Sequence, residues 1–257
     1  MADKPTDTGM NRTGIATSPI DSKRTIEGAE QAQTAGPLDG RALESERLVW
    51  AKDADPIGSV PPPGTLKGFA KTVMEKLQGH QPTVLIDKLG GRLAYERAGT
   101  RLYDALLVKH AAANVHEGGP TREELLAIRM QEHQHMMLVA SVIERLGADP
   151  TAMTPCADIS GVAGLGWVQV LTDPRTTLSQ CLDIMLIVEQ GDVDGWGVLI
   201  ELVDQLGMDD VAEQFREASA VEQLHAAKLR SWVTKSVLGQ AGVMPTPARD
   251  LNNPART

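Results

Sequence analysis

Two short motifs in this chain place a glutamate three residues before a histidine: Glu132 with His135, and Glu222 with His225. Positions i and i+3 share one face of a helix, so the two side chains of each motif can contact the same metal ion. A single glutamate on an apolar helical stretch precedes each motif. The complete set of candidate metal ligands is Glu96, Glu132, His135, Glu189, Glu222 and His225.

Chance is a poor explanation of this pattern. Given the numbers of histidines and glutamates in 257 residues, random order would produce the motif roughly 0.4 times, yet it occurs twice. Each candidate also interrupts an apolar stripe, as Glu132 does between Ile128 and Val139. A carboxylate in such a core is costly unless cations or buried ion pairs compensate for it. His133 points away from the Glu132 face and is predicted to lie at the surface.

The apolar periodicity predicts four long helices, at residues 84–115, 121–146, 176–206 and 208–237. Thr121, three residues before Glu124, is expected to cap the second helix, and Gly147 is expected to end it. The short loops within the first and second pairs of helices predict two antiparallel hairpins. The connection from Gly147 to Thr176 is long enough to cross a bundle, and its apolar stretch at 162–171 predicts a short helix.

The remaining chain differs in composition from this predicted bundle at 84–237. Residues 1–64 are rich in Gly, Pro, Ser and Thr and predict a disordered or extended tail. Residues 65–83 contain apolar positions at helical spacing and predict a short amphipathic helix and linker, packed on the bundle or on a neighbouring subunit, with a membrane surface as the alternative. Residues 238–257 are predicted to form a C-terminal tail.

Residues 84–236 resemble the ferritin and rubrerythrin superfamily of di-iron carboxylate proteins. All six ligand types occur in the order found in that superfamily, and the 33-residue step from Glu189 to Glu222 is similar to that of bacterioferritins. The resemblance implies an all-α fold: a ferritin-like antiparallel four-helix bundle with a long crossover between its second and third helices. It also implies two iron ions per chain, with manganese or a mixed iron and manganese pair as the alternative.

The resemblance assigns a role to each ligand. Two glutamates would bridge the metals, and each metal would have one further glutamate and one histidine. The bridging residues would be Glu132 and Glu222. The terminal ligands would be Glu96 with His135 on one metal and Glu189 with His225 on the other.

Two further residues have counterparts in this superfamily. Tyr103 lies seven residues after Glu96, where ferritins and bacterioferritins place a tyrosine beside the di-iron site, and it would supply an electron or a hydrogen bond. Asp192 lies three residues after Glu189, where rubrerythrins have an additional carboxylate that can join the metal. The alternatives are an ordinary core tyrosine and, for Asp192, a solvent-facing residue close to Asp194.

Three glycines next to Glu189 are unusual in the middle of a helix, where each costs up to about 1 kcal/mol relative to alanine. They are Gly191, Gly195 and Gly197. We consider a π-bulge, space for a substrate, or close packing against Tyr95 or the crossover. No short fifth helix is evident after Val237, in contrast to storage ferritins.

The resemblance predicts an oxidoreductase that reduces O2 or hydrogen peroxide at a dinuclear iron centre, as a ferroxidase or a peroxidase. A redox partner protein and a homo-oligomeric state are also expected. The alternatives are an oligomer for iron storage or sequestration, a dimanganese catalase-like enzyme, and a metal-free helical module.

Composition excludes several other classes. The net charge of −9 and the pI near 5.2 argue against nucleic acid as a partner. Cys156 and Cys181 do not form a C-x-x-C motif, so neither a zinc ribbon nor a rubredoxin-like centre is expected. We find no secretory signal and no apolar run of membrane-spanning length, and we therefore expect a soluble protein of the cytoplasm.

Overall fold

The computed structural model describes residues 9–10, 14, 18–32, 40–62, 64, 82–115 and 117–243. Within these ranges the protein contains seven α-helices and no β-strand, which confirms the predicted all-α class. The chain divides into two compact units, one comprising residues 6–56 and the other comprising residues 1–5 and 57–257.

The smaller unit contains α1 (Pro19–Ala32) and α2 (Arg41–Asp53). The prediction of a disordered or extended tail over residues 1–64 is therefore wrong for these two stretches. None of the residues of α1 is buried. Alanine, glutamate, lysine and arginine have a high intrinsic helix propensity, so a helix can form here although it has no apolar face. Lys23 Nζ also lies 3.8 Å from Glu27 Oε1, one helical turn away.

Two predictions fall mainly outside the described residues. The predicted amphipathic helix and linker at 65–83 overlap the described chain only at Pro82 and Thr83, which begin the third helix. The C-terminal tail is described only as far as Val243. The proposed boundaries between these segments therefore stay predictions.

The larger unit contains five helices: α3 (Pro82–Ala112), α4 (Arg122–Arg145), α5 (Pro155–Thr172), α6 (Leu178–Gln205) and α7 (Asp209–Gln240). Thr121 and Thr177 cap α4 and α6 through capping boxes, and Thr154 caps α5. The chain leaves α4 and α6 through Gly147 and Gly207, whose φ angles of 81° and 66° favour glycine. These signals place the four long helices close to their predicted ranges.

Two clusters of buried apolar side chains form the core of this unit. The first cluster receives residues from α3, α4, α6 and α7, among them Leu89, Val142, Val203 and Phe215. The second receives residues from the same helices, among them Leu106, Ile128, Leu182 and Leu229. On every one of these helices, the candidate metal ligands occur between the segments that build the two clusters.

The clusters also reveal the direction of each helix. α3 and α7 pass from the first cluster to the second, whereas α4 and α6 pass from the second to the first. Because α4 and α6 run parallel, the connection that contains α5 returns the chain along the length of the core. α5 packs on α3, which also packs on α4 and α6, and α7 packs mainly on α6. This packing is consistent with a helical bundle, and α5 includes the short helix predicted at 162–171.

Candidate metal centre

The structure brings all the predicted ligands together between the two apolar clusters. Each of these residues is at most 6% exposed, in a core where unpaired carboxylates are unfavourable. The set consists of Glu96 from α3, Glu132 and His135 from α4, Glu189 and Asp192 from α6, and Glu222 and His225 from α7. His133, in contrast, is exposed, as predicted.

The ligand atoms of these residues form three overlapping groups, within each of which all atoms lie no more than 4.8 Å apart. One group contains Glu132, Glu189, Glu222 and His225. The second contains Glu96, His135 and Glu222, and the third contains Glu96, Glu132, Asp192 and Glu222. Glu222 belongs to all three groups, so its carboxylate lies at the centre of the cluster.

Both histidines turn Nδ1 towards the carboxylates. His225 Nδ1 lies 2.9 Å from Glu222 Oε2 and 3.3 Å from Glu132 Oε1. His135 Nδ1 contacts the other oxygen of Glu222. On the far side of the His225 ring, Nε2 lies 2.9 Å from the amide oxygen of Gln131. When Nε2–H donates to Gln131, Nδ1 is the nitrogen left for a metal.

Three carboxylate oxygens in the cluster lack a hydrogen-bond donor. They are Glu96 Oε2, Glu132 Oε1 and Glu189 Oε2, which are buried and accept no hydrogen bond from any described residue, although His225 Nδ1 lies 3.3 Å from Glu132 Oε1 and 3.5 Å from Glu189 Oε2. Buried acceptors are rarely left unsatisfied, because desolvation without a new partner costs about 1–3 kcal/mol and more for a charged group. A cation between these oxygens would satisfy them.

The burial of several carboxylates close together also determines the pKa values in the cluster. Burial raises the pKa of four carboxyl groups, and neighbouring carboxylates raise it further; these groups are Glu96, Glu132, Glu189 and Asp192. For Glu222, burial is outweighed by His135 and His225, which lower the pKa to about 2. For His225, burial lowers the pKa, but the surrounding carboxylates of Glu132, Glu189 and Glu222 raise it to about 12. Without metal, the cluster thus retains protons.

Arg92 is a buried cation beside the cluster that the sequence analysis did not identify. Its Nε donates to Glu96 Oε1 at 2.8 Å, and its Nη2 donates to Asp192 Oδ1. With all five carboxylates of the cluster ionised and both histidines neutral, Arg92 brings the net charge to −4, which two divalent cations would neutralise. The signal in the sequence was an arginine four residues before Glu96, on the same helical face.

Asp192 is buried and belongs to the cluster, so the solvent-facing alternative is wrong. Its carboxylate is shared between the ion pair with Arg92 and the third group of ligand atoms. Tyr103 is fully buried, and its hydroxyl donates to Glu189 Oε1. Burial raises the pKa of Tyr103, and the charge of Glu189 raises it further, so the residue is a neutral phenol.

The mid-helix glycines lie against specific side chains. α6 is α-helical throughout, so the π-bulge interpretation is wrong. A Cβ atom on Gly191 would lie 2.8 Å from the Tyr95 hydroxyl, and one on Gly195 would overlap Arg92 Nη1. Gly197 has no such neighbour among the described residues. Close packing therefore explains the first two glycines, including the contact with Tyr95 that we considered.

A further glycine on α3 makes room for a candidate ligand. A Cβ atom on Gly99 would overlap Glu132 Oε2. Gly99 lies three residues after Glu96 and faces the same side of the helix, which is the only signal in the sequence for this role. The site thus depends on a missing side chain as well as on its ligands.

Comparison with known proteins found no match to this chain, whether among protein-family models, curated proteins or solved structures. The interpretation of the site therefore rests on its own geometry. Buried glutamates and histidines can hold metal ions when their oxygen and nitrogen atoms converge and some of these oxygens lack a hydrogen-bond partner. Carboxylate oxygen and imidazole nitrogen are donors that suit iron and manganese.

Proposed function

We propose that this chain is a ferritin-like di-iron carboxylate protein that acts as an oxidoreductase on O2 or hydrogen peroxide, of the ferroxidase or peroxidase type. The observation that carries the proposal is the convergence of four glutamates and two histidines, from four helices, in a buried layer with three unsatisfied carboxylate oxygens. Helix bundles build dinuclear carboxylate centres from this ligand set.

The grouping of ligand atoms supports two metal positions. Glu189 and His225 fall in one group and Glu96 and His135 in another, while Glu222 is common to both. Glu222, together with Glu132, would bridge the metals. When bound, a pair of iron ions would supply the electrons for reduction of O2 or peroxide.

The other residues of the site would control charge and protons. Gln131 would fix the tautomer of His225, and Arg92 would hold Glu96 and Asp192 in position while balancing their charge. Tyr103 would keep its proton on the hydroxyl that donates to Glu189. The two apolar clusters would exclude water from this layer.

Metal analysis tests the proposal. The wild-type chain is expected to bind two ferrous ions, and the double variant Glu132→Ala/His135→Ala is expected to lose most of this iron. The matched control is His133→Ala, which removes an exposed imidazole from the same helix. Circular dichroism should show equal helix content in all three proteins. Retention of two ions per chain by the double variant would reject the site.

A further inference from the structure

A cavity with a volume of about 380 Å³ opens between α3, α5 and α6, next to the candidate metal centre. Its size is at the lower end of the range for small-molecule sites. Arg92 lines this cavity and also contacts Glu96 and Asp192. A ligand in the cavity would therefore be separated from the cluster by a single side chain.

The ionised side chains of the cavity are cationic. Lys88 and Arg92 line it, and no carboxylate does so among the described residues, although the chain has a net charge of −9. Lys88 is exposed at the mouth, whereas Arg92 is 5% exposed at the inner wall. This distribution favours an anion that enters past Lys88.

Arg92 has one hydrogen-bond donor to spare. A guanidinium has five N–H groups, and Nε and Nη2 direct three of them to Glu96 and Asp192. Nη1 uses one of its two N–H groups for the backbone oxygen of Asp192, at 3.3 Å. The second lacks an acceptor among the described residues. Nη1 is also the atom next to Gly195, which lines the cavity.

The other walls are largely apolar or lack side chains, and Cys156 and Ser160 add a thiol and a hydroxyl. Ile159, Val198 and Leu199 line the cavity together with the ring of Tyr95. Gly191 and Gly195 present only the backbone of α6, and a side chain at either position would collide with Tyr95 or Arg92. The ligand should therefore combine an anionic group with an apolar part.

We propose that this cavity binds a small organic carboxylate. The carboxylate accepts hydrogen bonds from Arg92 Nη1 and Lys88 Nζ, and the apolar part packs on Ile159 and Val198. The inference deepens the proposed function, because it gives the candidate centre an organic ligand beside the metals. Binding itself requires the cavity and not the metals.

Calorimetric titration of the full-length chain tests this inference, with hexanoate, hexanamide and inorganic phosphate as probes. Each probe is added both to metal-free protein and to protein loaded with zinc, which does not change valence. Hexanoate is expected to saturate one site per chain. Hexanamide, which lacks the charge, and phosphate, which lacks the apolar part, should each bind at least about tenfold more weakly. Equal affinity for hexanoate and either other probe would overturn the proposal.

Variants at the mouth locate the binding. Lys88→Gln and Val198→Trp change exposed side chains that contact the cavity, and each should weaken hexanoate binding about tenfold. The matched control is Lys228→Gln on α7, whose lysine pairs with Glu124 and does not line the cavity. Unchanged binding in both cavity variants, or an equal loss in the control, would place hexanoate elsewhere and overturn the inference.

Iron binding by the unmodified chain is measured separately, so the two proposals can fail separately. Hexanoate binding by a chain that does not bind iron would reject the di-iron function and support the cavity. Iron binding by a chain that does not bind hexanoate would reject the proposed carboxylate site in the cavity and leave the di-iron function in place.

Discussion

At the scale of single residues, the pKa values in the cluster depend on which of its five carboxylates contact the few positively charged groups nearby. Glu222 contacts both histidines and has a lowered pKa, whereas the remaining carboxyl groups of the cluster have raised pKa values. Arg92 is the only permanently charged cation that contacts the cluster among the described residues. Its removal should therefore have a large effect on the metal-free protein.

Arg92→Met is expected to lower the free energy of unfolding of the metal-free protein by about 3 kcal/mol, because it leaves Glu96 and Asp192 buried without their cation. Urea denaturation in the presence of a chelator measures this change. The control is Arg129→Met, which breaks an ion pair with the exposed Asp104 and should cost less than about 1 kcal/mol. Similar losses in the free energy of unfolding of both variants would show that the buried ion pair contributes no more to stability than the exposed one.

Tyr103 and Asp192 separate the two chemistries that remain open. In an O2-reducing ferroxidase, Tyr103→Phe should slow oxidation more, because the phenol contacts Glu189. In a peroxidase, Asp192→Ala should slow turnover more without loss of metal. Stopped-flow absorbance after mixing the ferrous protein with O2 or with peroxide compares the variants. If neither substitution changes either rate, both residues are structural only.

At the scale of helices, the sequence predicted those that have an apolar stripe and clear end signals. Thr121 and Gly147 placed the ends of α4 in this way, and the spacing within each Glu-x-x-His motif placed its two side chains on one face. α1 and α2 were missed because they bury no such stripe, and intrinsic helix propensity is worth only tenths of a kcal/mol per residue. The contact between Gln131 and His225 could not be predicted, because it depends on how α4 and α7 pack.

Alanine substitutions of glycines on α3 and α6 test whether the metal centre requires the absence of a side chain at a particular helix position. Gly99→Ala should raise intrinsic helix stability, yet weaken iron binding about tenfold or more, because the new methyl group displaces the Glu132 carboxylate. Gly197→Ala is the control, since no described atom lies within 4 Å of its new methyl group apart from its two chain neighbours and the adjoining backbone of its own helix. This control should gain about 0.5–1 kcal/mol of stability and keep its iron. Calorimetric melting and iron titration measure both effects, and full iron affinity in Gly99→Ala would contradict the assigned role.

At the scale of the whole molecule, a polar layer divides the core into two apolar clusters. Both clusters draw on α3, α4, α6 and α7, so all four helices must pass through the carboxylate layer. None of the helices in the described part of the chain is long and apolar enough to cross a membrane. Because all four helices pass through the carboxylate layer, the stability of the larger unit should depend on the charge state of these carboxylates.

The pH dependence of stability tests this coupling. Glu96, Glu132, Glu189 and Asp192 have raised pKa values in the metal-free fold, so the folded state binds more protons than the unfolded state above pH 4.5. His225, with a pKa of about 12, acts in the same direction above pH 6.5, while Glu222 changes charge only near pH 2. Stability should therefore fall as pH rises from 5 to 8, by about 1.4 kcal/mol per pH unit for each extra proton bound.

Two divalent ions should abolish this loss, because the metal-bound carboxylates are ionised when the protein is folded. Urea denaturation at several pH values, with a chelator and with zinc, compares the two forms. The metal-free protein should become less stable between pH 5 and pH 8, whereas the zinc-loaded protein should become more stable, because protons no longer compete for the ligands. Parallel pH profiles would mean that the carboxylate layer does not bind the metal.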